Sequence, residues 1–369
     1  MKSKEIKRII FSAGGTGGHI FPAVAVANEV KRRYPNVKIL FVGAEGRMEM
    51  EKVPQAGYDI IGLPIAGLQR KLTLSNFVLP FKIIKSIWKA RSVIRSFSPD
   101  VVVGFGGYAS APTLRTAGKL GIPTVLQEQN SFAGVTNKLL AKTAKRICVA
   151  YDGMQSFFPS DKIVFTGNPI RKEFVQLPYT QAQALNDLNL DESKKTILII
   201  GGSLGARAVN EAVEASLTSW IESGYQVIWQ CGKTYKAQLD QQYGNLPSLI
   251  LVDFIQDMAR VYAAADVIVS RAGAMSVSEL SLIGKPIVFM PSPNVAEDHQ
   301  TKNAMALVSK GAAEMVRDSE GKEKLGSTVT SLLNSEARCA EMKKNLVPFA
   351  RPKATEDIVD IIESIVHGN

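Results

Sequence analysis

The sequence predicts an α/β protein made of two doubly wound, Rossmann-like domains, and three observations support this prediction. Eleven short runs rich in β-branched residues alternate with helical patterns along the chain. The pattern of strand, glycine-rich turn and helix at residues 9–30 begins again at residues 196–213. The length of 369 residues is enough for two domains of ordinary size.

Six predicted strands fall in the first half of the chain. They are RIIFSA (8–13), KILFVG (38–43), VVVGFG (101–106), PTVLQE (123–128), RICVA (146–150) and KIVFTG (162–167). Their nearly continuous apolar character is typical of parallel strands that are covered by helices on both faces. Helices between such strands imply right-handed βαβ units in an open sheet.

Five more predicted strands follow a proline-containing stretch, TGNPIRKEFVQLP (166–178), which indicates a domain junction. They are TILIIGG (196–202), QVIWQCG (226–232), LILVDF (249–254), DVIVSRAG (266–273) and PIVFMP (286–291). We therefore expect one domain at residues 1–168 and a second at residues 169–349. The tail ATEDIVDIIESIV (354–366) predicts an amphipathic helix with an acidic first turn, which could pack on either domain.

The composition describes a globular protein and argues against several classes. Apolar residues make up 46% of the chain and charged residues 21%, and no apolar run approaches the roughly 20 residues that cross a bilayer. The three cysteines are far apart and odd in number, which predicts neither a disulfide framework nor a zinc site. The three histidines have no ligand spacing. We therefore expect a protein of the reducing cytoplasm with no metal and no cofactor.

The net charge of +10 is unevenly distributed. Residues 1–170 contain 24 Lys and Arg against 10 Asp and Glu, a net charge of +14. The remaining residues contain 20 against 24, a net charge of −4. This asymmetry predicts an anionic partner for the first half of the chain only.

Glycine-rich turns follow predicted strands at residues 13–19, 104–110, 201–207 and 270–279. Ligands of open α/β sheets gather at the carboxyl ends of the strands, where helix N-termini favour phosphate. Steric requirements alone would explain a single turn of this kind. Four such turns across two domains favour a phosphorylated ligand.

Two common nucleotide-binding patterns are absent. The first turn does not match G-x-G-x-x-G, because reading from Gly15 gives Gly17 and then Ile20. The first acid after the second strand, Glu45, lies 30 positions beyond Gly15, where about 20 is typical of a ribose-binding acid. No G-x-x-x-x-G-K-[ST] sequence occurs. These departures argue against a dehydrogenase and against a P-loop NTPase.

The stretch SRAGAMSVSELSLIGKPIVFMP (270–291) predicts a strand, a turn of small residues and a helix with Glu279 in its first turn. The backbone N–H groups of residues 274–277 would face a diphosphate. Glu279 would accept hydrogen bonds from both hydroxyls of a ribose. In the alternative interpretation, Glu279 only complements the helix dipole.

Seven motifs, read in order, resemble those of the MurG glycosyltransferases of peptidoglycan synthesis. They are GGTGGHIFPAVAVA, GFGGYASAPT, QEQNSFAGVTNKLLA, TGNPIR, GGSLGAR, FIQDM and SRAGAMSVSEL. The resemblance covers essentially the whole chain and implies a GT-B architecture, in which two Rossmann-like domains face a cleft. It implies an acceptor-binding, membrane-facing N-terminal domain and a C-terminal domain that binds the UDP-sugar. The last helix, at about residues 350–369, would pack back on the first domain.

The resemblance also implies the reaction. N-acetylglucosamine would move with inversion from UDP-N-acetylglucosamine to lipid I, the undecaprenyl-pyrophosphoryl-N-acetylmuramoyl-pentapeptide. The products would be lipid II and UDP. Cell-wall synthesis proteins are candidates for further partners.

The same resemblance implies the residues that bind the substrate. They are Thr16, Gly17, Gly18, Asn130, Arg171, Ser203, Ile255, Ala274, Met275, Ser276, Val277, Ser278, Glu279 and Gln300. The first three would approach the donor sugar and diphosphate, Ile255 would meet the uracil through its backbone, and Gln300 would contact sugar hydroxyls. Many family members have two consecutive glutamines at this last point. Here His299 replaces the first of them, and imidazole can still donate or accept a hydrogen bond.

An inverting transfer needs a base for the acceptor hydroxyl, stabilisation of the departing UDP and a sugar carbon held in line. His19 is a candidate base, because imidazole changes charge near neutral pH; it could instead bind a phosphate or the sugar, or be a capping or core residue. Glu128 is a candidate base or acceptor-orienting group, and its alternative role is to accept loop N–H groups. Helix N-termini and Arg171 would stabilise UDP without a metal, and no Asp-x-Asp motif occurs.

A basic segment, residues 68–97, contains seven Lys and Arg and no Asp or Glu. Its helical part predicts one basic side and one apolar side, formed by Lys82, Lys85 and Lys89 and by Phe81, Ile84 and Trp88. Such a segment suits an anionic bilayer surface, where each basic residue contributes on the order of 1 kcal/mol. The alternative is an ordinary surface helix with Ile84 and Ile87 in the core. We expect peripheral attachment to the cytoplasmic face of the inner membrane, and no nucleic-acid binding.

Two other functions use some of the same features. A UDP-N-acetylglucosamine epimerase of the same architecture would bind the donor but would need neither a lipid acceptor nor the basic segment. A non-catalytic subunit that binds a nucleotide sugar or docks on a membrane is the other alternative. The presence of both His19 and a complete donor site in one chain argues against it.

Overall fold

The computed structural model describes residues 5–65, 75–202 and 204–368, with the backbone alone at residues 75–79 and 296. The chain divides into two compact units. Unit 1 comprises residues 1–170 and 351–369, and unit 2 comprises residues 171–350. The junction lies two residues beyond the one expected from the sequence.

The described residues of unit 1 form a seven-stranded parallel sheet with helices on both faces. Its strands are β1 (Arg8–Ser12), β2 (Lys38–Ala44), β3 (Asp59–Leu63), β4 (Val101–Gly104), β5 (Thr124–Glu128), β6 (Arg146–Val149) and β7 (Ile163–Phe165), in the order β3-β2-β1-β4-β5-β6-β7. The helices that follow these strands are α1 (Gly17–Arg33), α2 (Glu49–Gln55), α3 (Ser75–Phe97), α4 (Ser110–Lys119) and α5 (Val135–Leu140).

Strand β1 shows why this sheet is apolar throughout. Successive side chains of a strand point to opposite faces, so Ile9 and Phe11 join the core beneath α1, whereas Ile10 joins the core beneath α3, α4 and α5. All three side chains are completely buried. A strand covered on both faces cannot alternate apolar and polar residues, which explains the continuous apolar runs of the sequence.

The described residues of unit 2 form a six-stranded parallel sheet. Its strands are β8 (Thr196–Ile200), β9 (Gln226–Gln230), β10 (Leu249–Val252), β11 (Val267–Ser270), β12 (Ile287–Phe289) and β13 (Glu314–Met315), in the order β10-β9-β8-β11-β12-β13. Its helices are α6 (Gln181–Asp187), α7 (Arg207–Glu222), α8 (Lys236–Tyr243), α9 (Met258–Ala264), α10 (Ala274–Ile283), α11 (His299–Val308), α12 (Gly321–Leu333) and α13 (Glu336–Leu346).

Both sheets reverse their strand order at one place, between β1 and β4 in unit 1 and between β8 and β11 in unit 2. The connections that leave the two neighbouring strands run to opposite sides, which opens a crevice at the carboxyl end of the sheet. All four glycine-rich turns of the sequence follow these four strands.

The eleven predicted strands are all confirmed, and the described part of the chain contains two further strands that were not predicted. Strand β3 lies at an edge of its sheet, is half-buried at Ile60 and Ile61, and is interrupted by Gly62, so it shows no continuous apolar run. Strand β13 also lies at an edge and has only two residues, too few for a periodic pattern to be recognised.

The last helix, α14 (Ala354–His367), packs against α1 within unit 1. Ile358 and Ile362 are completely buried in one apolar cluster with Val26 and Val30 of α1. Arg33 of α1 connects the two helices, because its guanidinium contacts Glu29 of α1 and both Asp360 and Glu363 of α14. Apolar packing and the ion pairs of Arg33 therefore fix the position of α14 on α1.

Helix α3 carries an exposed apolar ridge, formed by Phe81, Ile84 and Trp88, which are 73%, 55% and 76% exposed. The interpretation that places Ile84 in the core is therefore wrong, whereas Ile87 is half-buried. The helix is anchored further along, by Ala90, Val93 and Ile94. Residues 68–74 of the basic segment lie outside the described residues. Within the described ranges, no helix combines the length and the apolar character that crossing a membrane requires.

Replacement of Ile362 by Ala tests the contribution of α14 to unit 1. We expect the free energy of opening of unit 1 to fall by about 3 kcal/mol, because the substitution removes buried methylene groups and leaves a cavity. Hydrogen exchange of β1 and β4, followed by mass spectrometry, measures this loss, with the strands of unit 2 as the internal reference. The half-buried Ile365→Ala variant should lose clearly less. Unchanged protection of β1 and β4 would contradict the assignment.

Candidate active site

The glycine-rich turn after β1 places His19 in the first turn of α1. The Nδ1 atom of His19 lies 2.8 Å from the carbonyl oxygen of Gly14. A carbonyl oxygen only accepts hydrogen bonds, so Nδ1 carries the proton and donates it. In the neutral imidazole, Nε2 is then the atom with a free lone pair, and it can accept a proton.

The turn after β4 packs directly on this first turn. A side chain on Gly107 would overlap the carbonyl oxygen of Gly14, and a Cβ on Gly106 would lie 3.0 Å from Nε2 of His19. Both glycines also have positive φ values, of +97° at Gly106 and +87° at Gly107, which side-chain-bearing residues rarely adopt. The glycines are therefore required by the close approach of two backbones and an imidazole.

Thr16, Gly17 and Gly18 form the N-terminal end of α1. Thr16 is the N-cap residue, with extended backbone and no side-chain hydrogen bond to the helix, and no acidic residue occupies the first turn. The first turn of a helix presents N–H groups that its own backbone leaves unpaired, together with the positive end of its dipole. The phenyl ring of Phe21 covers Gly17, because a Cβ there would lie 2.9 Å from the ring. This helix end can accommodate an anion.

Glu128 ends β5 and is 2% exposed. Its Oε1 accepts hydrogen bonds from the backbone N–H (3.1 Å) and side-chain amide (3.3 Å) of Asn130. Its Oε2 accepts from the N–H of Gly134 (3.0 Å) and the side-chain amide of Asn137 (2.9 Å). Four donors thus occupy this carboxylate, and the geometry favours the interpretation in which Glu128 organises the loop, including Asn130.

In unit 2, the turn between β11 and α10 is held from both sides. Arg271 forms a bidentate ion pair with Asp318 (2.5 and 3.1 Å) and donates to the carbonyl of Met290. The side-chain amide of Asn303 donates to the carbonyl of Ala272 at 3.3 Å. These contacts fix the direction in which α10 begins.

Helix α10 brings together six of the residues expected from the sequence, namely Ala274, Met275, Ser276, Val277, Ser278 and Glu279. The helix begins at Ala274, so Glu279 lies in its second turn, and the expectation that it lies in the first turn, next to the positive end of the helix dipole, is wrong. Its N-cap residue is Gly273, which has extended backbone and no side chain with which to cap the helix. The hydroxyl of Ser278 donates to the carbonyl of Ala274 at 3.1 Å, so this side chain is turned back onto its own helix. The first turn of α10 thus presents backbone N–H groups that can meet an anion.

Glu279 lies in a small cluster with Tyr262, Arg171, Glu173 and Phe174. The buried hydroxyl of Tyr262 lies near its carboxylate and lowers its pKa, and Nε of Arg171 lies 4.0 Å from Oε1. The Arg171 guanidinium rests on the ring of Phe174 at 4.2 Å and pairs with Glu173 at 3.0 Å. Burial raises the pKa of Glu279 to about 7, although the Arg171 charge acts in the opposite direction.

The sequence also matches known proteins over nearly its full length. The N-terminal and C-terminal domain models of glycosyltransferase family 28 match residues 9–149 and 196–363. A protein from Flavobacterium psychrophilum named UDP-N-acetylglucosamine–N-acetylmuramyl-(pentapeptide) pyrophosphoryl-undecaprenol N-acetylglucosamine transferase is 51% identical over 361 residues, which are 98% of each chain. Its namesake from Bacteroides thetaiotaomicron is 55% identical over 355 residues, 95% of each chain.

A solved structure of a related protein is also similar to this chain in fold. The crystal structure of Acinetobacter baumannii MurG is 34% identical and superimposes with a TM-score of 0.81, covering 97% of this chain and 99% of that one. This chain belongs to the MurG family. The GT-B fold expected from the motifs is thereby confirmed.

Three more residues that the MurG motifs single out lie in unit 2. Ile255 is 6% exposed and lies between β10 and α9. Gln300 lies in the first turn of α11, and its Oε1 accepts the backbone N–H of Ser292 at 2.9 Å, which fixes the side-chain amide. Ser203 lies outside the described residues, so its expected contact stays a prediction.

Sequence reasoning missed Tyr262 and Phe174, which support Glu279 and Arg171. Both side chains are 2% exposed, and their rings meet edge to face with centroids 5.4 Å apart. Each lies in a short helical stretch of ordinary composition. Their role comes from tertiary packing, and no local signal in the MurG motifs identifies it.

The pKa of Glu279 predicts a pH-dependent stability of unit 2. The pKa of the Glu279 carboxyl group is 4.5 ordinarily and about 7 in the folded protein. As the pH rises, this carboxyl group therefore loses its proton in the unfolded chain before it does so in the folded one. Stability is therefore lost between pH 4.5 and 7, and Glu279→Gln should be more stable than the wild type by about 3 kcal/mol at pH 8 but by little at pH 5. Urea unfolding followed by the fluorescence of the buried Trp220 and Trp229 measures this difference.

The exposed Glu222 provides the matched control, because Glu222→Gln should change stability by less than about 0.5 kcal/mol at either pH. A Glu279→Gln variant that gains no stability between pH 5 and pH 8, relative to the wild type, would contradict the prediction.

Proposed function

We propose that this chain transfers N-acetylglucosamine from UDP-N-acetylglucosamine to lipid I, with lipid II and UDP as products. The observation that carries this function is the identity of 51–55%, over nearly the whole of each chain, to proteins named for that transfer. The chain is accordingly a hexosyltransferase of peptidoglycan precursor synthesis. An epimerase would not need the lipid acceptor named for these relatives.

Unit 2 binds the donor. The N–H groups at the start of α10 meet the diphosphate, and Glu279, in the second turn of the same helix, accepts hydrogen bonds from the ribose hydroxyls. The backbone of Ile255 meets the uracil, Gln300 contacts the sugar hydroxyls, and Ser203 lines the donor site. Arg171 is held beside this helix by Phe174 and Glu173, and its charge stabilises the diphosphate as negative charge develops on it.

Unit 1 binds the acceptor and supplies the base. The acceptor hydroxyl oxygen attacks C1 of the donor sugar, its proton passes to Nε2 of His19, and the bond from C1 to the UDP oxygen breaks with its electron pair on UDP. One displacement of this kind inverts the configuration at C1. The hydrogen bond from Nδ1 to Gly14 supports the role of His19, because it places the proton on Nδ1 and leaves the lone pair of Nε2 to accept one. Thr16, Gly17 and Gly18 present the adjoining helix end to the donor's sugar and phosphates.

Glu128 supports this site indirectly. Because four hydrogen-bond donors occupy its two oxygens, we assign it the organisation of the loop that carries Asn130. Asn130 then contacts the donor from a fixed position.

Helix α3 attaches the protein peripherally to the cytoplasmic face of the membrane. The exposed ridge of Phe81, Ile84 and Trp88 is apolar, and the exposed Lys82 and Lys85 flank it. Apolar side chains enter the interface between lipid headgroups and acyl chains, while lysines pair with anionic headgroups. This arrangement brings unit 1 to a lipid-linked acceptor.

Separate variants of His19 and Glu279 distinguish chemistry from donor binding. His19→Ala should reduce transfer about 10²- to 10⁴-fold through loss of the base and leave UDP affinity nearly unchanged. Glu279→Ala should weaken UDP binding by about 10- to 100-fold, the equivalent of lost charge-assisted hydrogen bonds. Transfer of labelled N-acetylglucosamine to a lipid I analogue, with EDTA present, and calorimetric titration with UDP measure the two effects.

The distal histidine variant His367→Ala should match the wild type in both assays. Equal losses of UDP affinity in the His19 and Glu279 variants would contradict the separation of roles. A folded wild type that binds UDP but forms no lipid-linked product would overturn the transfer itself.

The membrane proposal is tested by the double variant Phe81→Ser, Trp88→Ser. Binding to vesicles that contain anionic lipid should fall at least tenfold, because burial of one large apolar side chain contributes about 1.5–3 kcal/mol. Transfer to a water-soluble acceptor analogue should not change. Val347→Ser, which alters an exposed apolar side chain of unit 2, is the matched control. Undiminished vesicle binding by the double variant would contradict the proposal.

A further inference from the structure

A buried carboxylate lies beneath the turn that holds His19. Glu49, in the first turn of α2, has no exposed surface. Its Oε2 accepts the N–H of Gly15 at 3.0 Å, and its Oε1 accepts the N–H of Ala44 at 2.9 Å. One side chain therefore joins the glycine-rich turn after β1 to the end of β2.

Two neighbouring glycines are explained by this side chain. A Cβ on Gly14 would overlap the carboxylate of Glu49, and a Cβ on Gly43 would lie 2.5 Å from its Cγ. Neither glycine has a positive φ, so backbone conformation does not require them. The space that they leave is filled by Glu49, which has little freedom to move.

The contact of Glu49 with His19 is indirect and passes through a single peptide group. The N–H of Gly15 and the carbonyl of Gly14 belong to the same planar trans peptide and point in opposite directions. Glu49 accepts from the N–H end, and the carbonyl end accepts from Nδ1 of His19. The orientation of this peptide thus depends on the carboxylate on one side and determines the imidazole on the other.

We infer that Glu49 is a positioning residue of the transfer, which holds His19 in the Nδ1–H form through the Gly14–Gly15 peptide. A carboxylate that accepts from one end of a peptide polarises it and strengthens the acceptor at the other end. In Ser-His-Asp enzymes a carboxylate touches the histidine directly and fixes its tautomer. Here one peptide group separates the two, and the result is the same free lone pair on Nε2. This inference rests on the proposed role of His19 as the base.

The first test is the tautomer of His19 in the wild type, from ¹⁵N NMR of protein labelled at histidine. The chain has only three histidines, and the spectrum of His19→Ala assigns the signal. We expect the Nδ1–H form at pH 8, and the Nε2–H form would overturn the inference whether or not any variant folds.

The second test compares Glu49→Gln with Glu29→Gln. Glutamine keeps the size of Glu49 but replaces one carboxylate oxygen by an N–H₂ group. This group only donates, so it cannot accept from one of the two backbone N–H groups. We expect His19 to populate the Nε2–H form, kcat to fall about 10- to 100-fold, and KM for UDP-N-acetylglucosamine to stay within about twofold. Glu29 is an equally buried carboxylate at the far end of α1 that pairs with Arg32 and Arg33, and its variant should keep the wild-type tautomer and kcat.

Other results would be decisive as well. A fall in kcat with an unchanged His19 tautomer would indicate a general structural role and overturn the inference, as would an unchanged kcat. If Glu49→Gln does not fold, Glu49→Asp takes its place, because the shorter carboxylate reaches only one of the two N–H groups. If the wild type makes no lipid-linked product, the proposed function fails, and the tautomer spectra alone decide whether Glu49 orients His19.

Discussion

The reversal of strand order is the constraint on which both units depend. Because β1 and β4 are neighbours whose connections leave in opposite directions, the turns that follow them meet at one point of the sheet edge. The two turns approach so closely that Gly106 and Gly107 have no room for a side chain. That close approach holds the carbonyl of Gly14 and the ring of His19 in place. The same reversal in unit 2 directs the start of α10 toward the carboxyl end of its sheet.

Three glutamates, of which Glu49 and Glu128 are buried and Glu279 is half-buried, illustrate how the scaffold and the site differ. The oxygens of Glu49 and Glu128 are used by backbone or side-chain amides of the loops beside them. Around Glu279 the described residues supply the nearby hydroxyl of Tyr262 and the guanidinium of Arg171, whose Nε lies 4.0 Å from Oε1. Burial without a full set of donors destabilises the ionised form. Such a carboxylate is suited to a ligand that brings its own hydroxyl groups.

The sequence predicted the parts of the molecule whose signals are local. Continuous apolar runs identified eleven strands, and the glycine-rich turn after β1 identified where α1 begins. Helix α10 begins earlier than expected, at Ala274, because its first small residues are typical of a turn as well as of a helix. Edge strands such as β3 were not predicted, because half-buried strands have weaker apolar patterns in the sequence. The loop-binding role of Glu128 was one of two open interpretations, and only the positions of Asn130, Gly134 and Asn137 favoured it. The support of Glu279 by Tyr262 and of His19 by Glu49 depends on contacts between segments distant in sequence, which periodicity does not reveal.

The return of α14 to unit 1 has a consequence for synthesis of the chain. Unit 2 is an insertion within unit 1. The ribosome therefore makes all of unit 2 before it makes α14, the helix that packs on α1 in unit 1. At about 5–20 residues per second, the 180 residues of unit 2 take roughly 10 to 40 s. During that interval the apolar face of α1 that receives Ile358 and Ile362 has no partner from its own chain. The nascent chain therefore presents a surface that a chaperone can cover until α14 is made.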